Sequence, residues 1–381
     1  MKAVIAIDSL KGSLSSVQAG SAAAEGIHRV YPDAQIEIFP IADGGEGTVD
    51  ALVTGLKGKK QTVSAMDPLG RPIVCEYGIL PNGTAVIEMS CAAGITLITK
   101  EERNPLHTTT YGVGEVIRDA IARGCRNFVI GIGGSATNDG GIGMLQALGF
   151  GILDAEGKPV SMGGKGLQEI TAITTENALP ELKQCRFQIA CDVTNPLCGS
   201  HGCSAVYGPQ KGATPEMVAQ MDTWLQNYAD IVKTVLPHSD QNMPGAGAAG
   251  GIGFAFAAFL NGKLVSGIDL ILREIDIETH IQTADIIITG EGRLDAQTVM
   301  GKAPIGIAKI AKKYQKPVIA FSGCVTDGAK VCNSHGIDAF FPIVKGACTL
   351  EQAMDPESTC KNMADTVEQA FRLLRTAKEI L

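Results

Sequence analysis

A chain of 381 residues, 45% hydrophobic and 19% charged, is ordinary globular material and long enough for two domains. Its net charge of −8 offers no basic footprint for nucleic acid or an anionic membrane, yet suits carboxylates that carry metal ions. The apolar part of the N-terminal MKAVIAIDSLKGS is too short for a signal peptide, and no segment reaches the roughly 18 apolar residues of a membrane span, so a cytoplasmic protein is expected.

Residues 2–7 read as a strand, 15–31 as a helix ending near Pro32, 35–41 as a second strand and 47–56 as a second helix. Residues 62–90 alternate apolar and polar positions with turns at DPLG and PNG, the pattern of an antiparallel meander. A helix follows near 111–123, then a strand at 127–131, a helix near 140–149 and a strand at 187–191. The Gly/Ala-rich stretch from Pro244 is apolar and mostly helical in pattern. Towards the end, strands at 285–289, 317–321 and 338–341 alternate with helices near 301–314, 326–335 and 359–378. Two βα units cannot cover a parallel sheet of their own, so the two ends of the chain are expected to join in one doubly wound α/β sheet. The expected division is 1–62 plus 285–381 as a discontinuous Rossmann-like domain, interrupted by a second α/β domain at 63–284.

Three apolar runs end in loops that mix glycine with acid or hydroxyl side chains: residues 40–52 (PIADGGEGTVDAL), 129–148 (VIGIGGSATNDGGIGMLQAL) and 286–298 (IIITGEGRLDAQT). Each reads as a buried strand, a tight turn and the first turn of a helix, where backbone N–H groups and the helix dipole favour an anion. Asp43, Glu46, Asp139, Glu291 and Asp295 would repel a bare phosphate. A divalent cation between carboxylate and phosphate removes that conflict, which points to Mg²⁺–nucleotide and phosphoryl transfer. The P-loop pattern GxxxxGK[ST] and the protein-kinase motifs are absent. A rival reading comes from Gly131 to Ala136, a loose G-x-G-x-x-G/A pattern with Asp154 about 20 residues on, as in an NAD(P)-dependent oxidoreductase of a small hydroxy acid.

Single residues admit two readings each. Asp8, ahead of Ser9 and Lys11, is either a turn carboxylate or a strand-tip group in a ligand crevice. Asp192 after its strand is a base or metal ligand, or equally a helix cap; Asn195 before proline has turn chemistry. Lys211 and Lys302 sit in glycine turns and suit phosphate, with surface solvation the alternative, favoured for Lys211. Arg103 and Arg293 carry the guanidinium fork that matches a carboxylate. Eleven cysteines scattered through apolar positions read as reduced thiols. Cys191, Cys198, His201 and Cys203 lack the paired knuckles of a structural zinc site and read as small residues about a glycine-rich loop.

The strings IADGGEGT, AVIEM, GIGGSATNDGG, ACDVTNPL, GPQKGAT, GAGAAGGIG and TGEGRLDAQT, in this order, resemble the bacterial type-1 glycerate kinases nearly from end to end. The family's common opening IAPDSFKGSLS stands here as IAIDSLKGSLS, with Ile7 and Leu10 altering only local packing. The resemblance implies a cytoplasmic enzyme that uses ATP to phosphorylate D-glycerate to 2-phosphoglycerate, in glycerate, glyoxylate and sugar-acid catabolism. It also implies a Rossmann-like domain interrupted by a second, with the site in the cleft, and leaves a homodimer open. On the chemistry of the residues, Asp192 is the expected base, with Asp8 and Lys11 as further catalytic groups. Gly44, Gly45, Gly133, Gly134, Ser135 and Lys302 are expected at nucleotide phosphates. Arg103, Arg293 and Asn195 are expected at the substrate, and Asp43, Glu291 and Asp295 at Mg²⁺.

Overall fold

The computed structural model describes residues 1–42, 45 and 47–380, with thirteen strands among them. In chain order they are β1 (Lys2–Ile7), β2 (Gln35–Ile38), β3 (Lys59–Met66), β4 (Pro72–Ile79), β5 (Thr84–Glu88), β6 (Asn127–Gly131), β7 (Gly151–Leu153), β8 (Ala172–Thr174), β9 (Arg186–Ala190), β10 (Lys263–Val265), β11 (Ile286–Leu294), β12 (Val318–Val325) and β13 (Ala339–Pro342). The protein is α/β. One five-stranded sheet runs β13-β12-β11-β1-β2, parallel throughout. A six-stranded sheet runs β10-β9-β6-β5-β4-β3, parallel from β10 to β5 and antiparallel from β5 to β3. The short β7 and β8 form a separate antiparallel pair.

The chain divides into two units: 1–43, 50–56 and 268–381 form the first, and 44–49 with 57–267 the second. In the first, β1 is buried on both faces, which is why KAVIAI is a continuous apolar run rather than an alternating one. Ala3, Ile5 and Ile7 meet Ala19, Ala23 and Ile27 of the helix Ser16–His28 and Val367 and Phe371 of Pro356–Ile380. Ser15 caps the first of these helices in a reciprocal capping box with Gln18.

The third glycine-rich segment departs from its expected form. It does not turn after Thr289. The strand continues to Leu294 because Gly290 to Leu294 pair with Phe321 to Val325 of β12. At Gly290 a Cβ would overlap the Phe321 carbonyl, so glycine here permits strand pairing instead of making a turn. The helix begins only at Ala303, after a 3₁₀ turn over Thr298–Met300.

Because β1 lies between β11 and β2, a chain ended at residue 284 would leave β1 paired with β2 alone. Such a truncation is expected to be insoluble or rapidly proteolysed, whereas residues 57–267 are expected to be soluble alone. Soluble yield and limited trypsin digestion of the two fragments check this. A protease-resistant 1–284 would count against it.

In the second unit Phe187 stacks on Phe128 at 4.8 Å and packs against Phe256. Phe256 belongs to Ala248–Leu260, the apolar helix expected from the Gly/Ala-rich stretch. That helix opens on three left-handed residues, Ala249, Gly250 and Gly251. Gly250 abuts the backbone of Thr137 and Asn138, and its carbonyl accepts from Gly140 N at 2.9 Å. The second glycine loop is thereby held from below.

Candidate active site

In the first unit, parallel pairing carries the tips of β1 and β11 to the same sheet edge. Asp8 N still donates to Gly290 O at 2.9 Å, one residue past β1, and Asp8 Oδ1 accepts from Ser9 N at 2.7 Å. A cavity of about 890 Å³ opens there, within the range of small-molecule sites. Asp8, Lys11, Glu291, Arg293 and Lys302 all line it, so the structure brings five sequence-expected residues together. Its apolar wall comes from Val325, Pro342, Val344, Leu350 and Met354. The sequence reading missed the wall at 342–354 because it holds no glycine–acid motif; its local signal was the capping pair Thr349 and Gln352.

Glu291 is the electrostatic centre of this cavity. Only 8% of it is exposed, and that burial raises its carboxyl above the ordinary range. Thr298 Oγ1 donates to Oε1 at 2.7 Å and Lys302 Nζ to Oε2 at 3.2 Å, both opposing the rise, while Asp295 adds to it. Lys302 is also the N-cap residue of Ala303–Lys313, so its charge and the helix's first N–H groups favour the same anion. Asp295 serves its own turn, accepting from Gln297 N at 2.8 Å, with Arg293 Nε 3.7 Å away. Arg293 is otherwise exposed.

The second unit holds another set. Gly133 and Gly134 are exposed, Gly134 has φ +75°, and Gly45 Cα lies 3.5 Å from where a Cβ on Gly133 would stand. Two of the expected glycine loops therefore touch. The N–H groups of Gly133, Gly134 and Ser135 have no hydrogen-bond partner among the described residues. Three such donors in a row make a concavity for an anion. The helix dipole does not assist, contrary to expectation: the next helix, Ile142–Ala147, starts seven residues after Ser135. The intervening loop is instead tied to neighbours, with Ala136 N on Ala93 O and Ile95 N on Gly134 O, both at 2.8 Å.

Two further expectations are corrected here. Asp139 does not face a ligand. It is fully buried and accepts from Thr110 N and Oγ1 and from Gly141 N at 2.8, 2.9 and 3.0 Å. Burial raises its carboxyl and these bonds oppose the rise, the pattern of a carboxylate that knits a loop. Lys211 is not solvated. It is 2% exposed, and its Nζ donates to Ser135 Oγ at 2.7 Å and Thr137 O at 2.6 Å. Burial pulls its ammonium down from the ordinary 10.5 to about 8.

Arg103 packs its backbone against Gly212, beside Lys211. Its Nε is buried without a hydrogen-bond partner, and its guanidinium joins no ion pair among the described residues. A half-buried guanidinium with a buried, unpaired Nε suits a ligand carboxylate. Asp192 stands exposed beyond β9, Oδ1 accepting from Gly267 N at 2.9 Å. Asn195 has both ends of its amide engaged, donating to His201 O at 2.8 Å and accepting from Tyr207 Oη at 2.7 Å. Asp43, Gly44 and Glu46 lie outside the described residues. No three His, Cys, Asp or Glu side chains gather as metal ligands among the described residues. No described helix is long and apolar enough to cross a membrane.

Comparison with known proteins accords with this chemistry. The sequence model of the glycerate kinase family matches residues 3–375. The chain is 46% identical over 354 residues to the glycerate 2-kinase of Escherichia coli K12, covering 93% of each chain. It is 45% identical over 375 residues to the glycerate kinase of Haemophilus influenzae, covering 98% of this chain and 99% of that one. A crystal structure of a Salmonella typhimurium LT2 protein described as a glycerate kinase 2 superposes with a TM-score of 0.92 at 43% identity, over 100% of this chain and 99% of the other. A family match spanning nearly the whole chain, with relatives above 40% identity over most of it, shows that the chain belongs to the glycerate kinase family.

Proposed function

We propose that this protein transfers the γ-phosphoryl group of ATP to D-glycerate, giving 2-phosphoglycerate and ADP, in the cytoplasm and within glycerate, glyoxylate or sugar-acid catabolism. The observation that carries the reading is the convergence of Asp8, Lys11, Glu291 and Lys302 on one cavity, in a chain whose family and named relatives are kinases. Those kinase relatives also weigh against the oxidoreductase suggested by Gly131 to Ala136.

The cavity's volume and apolar wall suit the nucleotide, with Lys11 and Lys302 adding charge at its phosphates. Mg²⁺ is commonly bound by one or two carboxylates plus substrate phosphates, and Asp8 and Glu291 line the same cavity and meet that requirement. Asp43 and Asp295 are the reserve ligands. When bound, the ion would neutralise charge on the transferring group. Backbone N–H groups at Gly45, Gly133, Gly134 and Ser135 donate to anionic oxygens. Arg103 grips the glycerate carboxylate, with Arg293 as the alternative, and this orients the 2-hydroxyl. Asp192 accepts the hydroxyl proton as the oxygen attacks the γ-phosphorus and ADP departs. Asn195, with its amide engaged on both sides, holds the loop that follows Asp192.

The same reading extends to the fold: residues 1–62 and 285–381 as a discontinuous Rossmann-like domain, interrupted by an α/β domain at 63–284. Its support is the single parallel sheet formed by β1, β2 and β11–β13.

A coupled assay of the purified protein is expected to show ADP release that requires D-glycerate and is abolished by EDTA. Glycerate-dependent reduction of NAD(P)⁺ with no ADP formed would overturn the assignment.

A further inference from the structure

Beneath the loop Gly133-Gly134-Ser135, whose two glycines are exposed, the structure buries a lysine whose role the reaction outlined above does not include. Lys211 is the C-terminal residue of the 3₁₀ turn Pro209–Lys211, and Gly212 behind it takes φ +92° against the Arg103 carbonyl. That turn aims the side chain inward. Its Nζ reaches Ser135 Oγ at 2.7 Å and Thr137 O at 2.6 Å, clamping the loop at two points. An ammonium donates and cannot accept. The oxygen of Ser135 is therefore the acceptor in this contact, and the hydroxyl proton must point elsewhere. Among the described residues it has no acceptor.

We propose that Lys211 is a positioning residue for phosphoryl transfer, fixing the Ser135 hydroxyl as an outward donor that joins the loop N–H groups on the anionic group they receive. This rests on the reading that the loop takes an anion. A neutral amine would reverse the polarity, since it can accept from Ser135 and turn the hydroxyl proton inward.

The electrostatic surroundings set where that reversal falls. The buried carboxylate of Asp139 favours the ammonium, and full burial disfavours it more strongly. The Cys203 thiol, on the helix Cys203–Tyr207 packed against the turn, is itself pushed up to about 11 by burial and is uncharged near neutrality. Arg103, whose backbone meets Gly212, is the nearest cation along that packing. Lys211 is thus predominantly charged at pH 7 and loses its proton as pH rises through about 8.

The test is the pH dependence of kcat and of kcat/KM for D-glycerate and ATP, from pH 6 to 10. Wild type is compared with Ser135→Ala, Lys211→Met, the double variant and Gly133→Val, with thermal melting alongside. Wild type should lose activity with a midpoint near pH 8. Ser135→Ala should lower kcat about 10-fold or more at pH 7, the scale of one transition-state donor, and flatten that alkaline limb. The double variant should be no worse than Lys211→Met, because both changes remove the same donor. If Lys211→Met fails to fold, Ser135→Ala decides alone. An unchanged kcat and an intact alkaline limb in Ser135→Ala would leave Lys211 a purely structural clamp and overturn the proposal. Gly133→Val tests the underlying reading separately by obstructing the loop without touching Lys211. Impaired Gly133→Val with unimpaired Ser135→Ala rejects only the role of Lys211. Unimpaired Gly133→Val rejects the anion loop and the proposal with it.

Discussion

Asp192→Asn is expected to lower kcat by about 10²-fold or more while leaving the fold intact, the usual scale for loss of a general base. The two halves of this expectation have separate causes. Asparagine keeps an Oδ1 acceptor, so the 2.9 Å bond from Gly267 N survives and the junction between β10 and the helix Gly267–Glu274 stays in place. What asparagine cannot do is take a proton at neutral pH. Asp192 is exposed at the tip of β9, as a base that meets a substrate hydroxyl must be. Steady-state kinetics with a near-UV circular dichroism control would check both halves. A variant with near-normal kcat would move the base elsewhere, with Asp8 the next candidate.

Arg103→Met is expected to raise KM for D-glycerate about 10²-fold, with KM for ATP little changed. Truncating one partner of a desolvated charge pair costs about 2–5 kcal/mol, and a 10²-fold change corresponds to about 2.7 kcal/mol of that. The sign on stability is the diagnostic part. In the free protein the guanidinium has no ion pair among the described residues, and its Nε is buried without a partner. Removing an uncompensated, partly buried charge relieves a desolvation cost, so Tm should hold or rise. The Arg103 backbone, which packs on Gly212, is unaffected by the change. A loss of Tm with KM unchanged would identify Arg103 as a structural residue and transfer the carboxylate to Arg293.

The two arginines also show how a cation's surroundings select its role. Arg293 is exposed and stands 3.7 Å from Asp295, so water and a carboxylate already share its charge. Screened pairs of this kind contribute little. Arg103 is half-buried with no carboxylate beside it among the described residues, and a ligand carboxylate would supply one. Lys302 is intermediate: it is paired with Glu291 at 3.2 Å, and an arriving phosphate would compete with that carboxylate.

Local side-chain chemistry alone determined much of this protein. KAVIAI and NFVIG read as strands from their β-branched, apolar runs bounded by turn residues, which bury well in a parallel sheet, and both appear as β1 and β6. The paired turns at DPLG and PNG likewise determined the antiparallel run from β3 to β5. That Asp8 and Glu291 would meet at one cavity was legible because strand tips of one parallel sheet share an edge.

Only the tertiary structure decided which polar groups face solvent, because burial depends on segments remote in sequence. GPQKGAT carries every local mark of an exposed turn, yet Gly212 against Arg103 and Ser135 above Nζ place Lys211 inside. Asp139 sits in a glycine loop as a ligand would, but Thr110 and the loop's own N–H groups enclose it. TGEGRLDAQT has the composition of a turn, yet its first part runs on as strand to Leu294, because β12 pairs with Gly290, Glu291, Arg293 and Leu294. Composition sets what a segment can do locally; the segments packed against it settle which of those states also satisfies its buried hydrogen bonds.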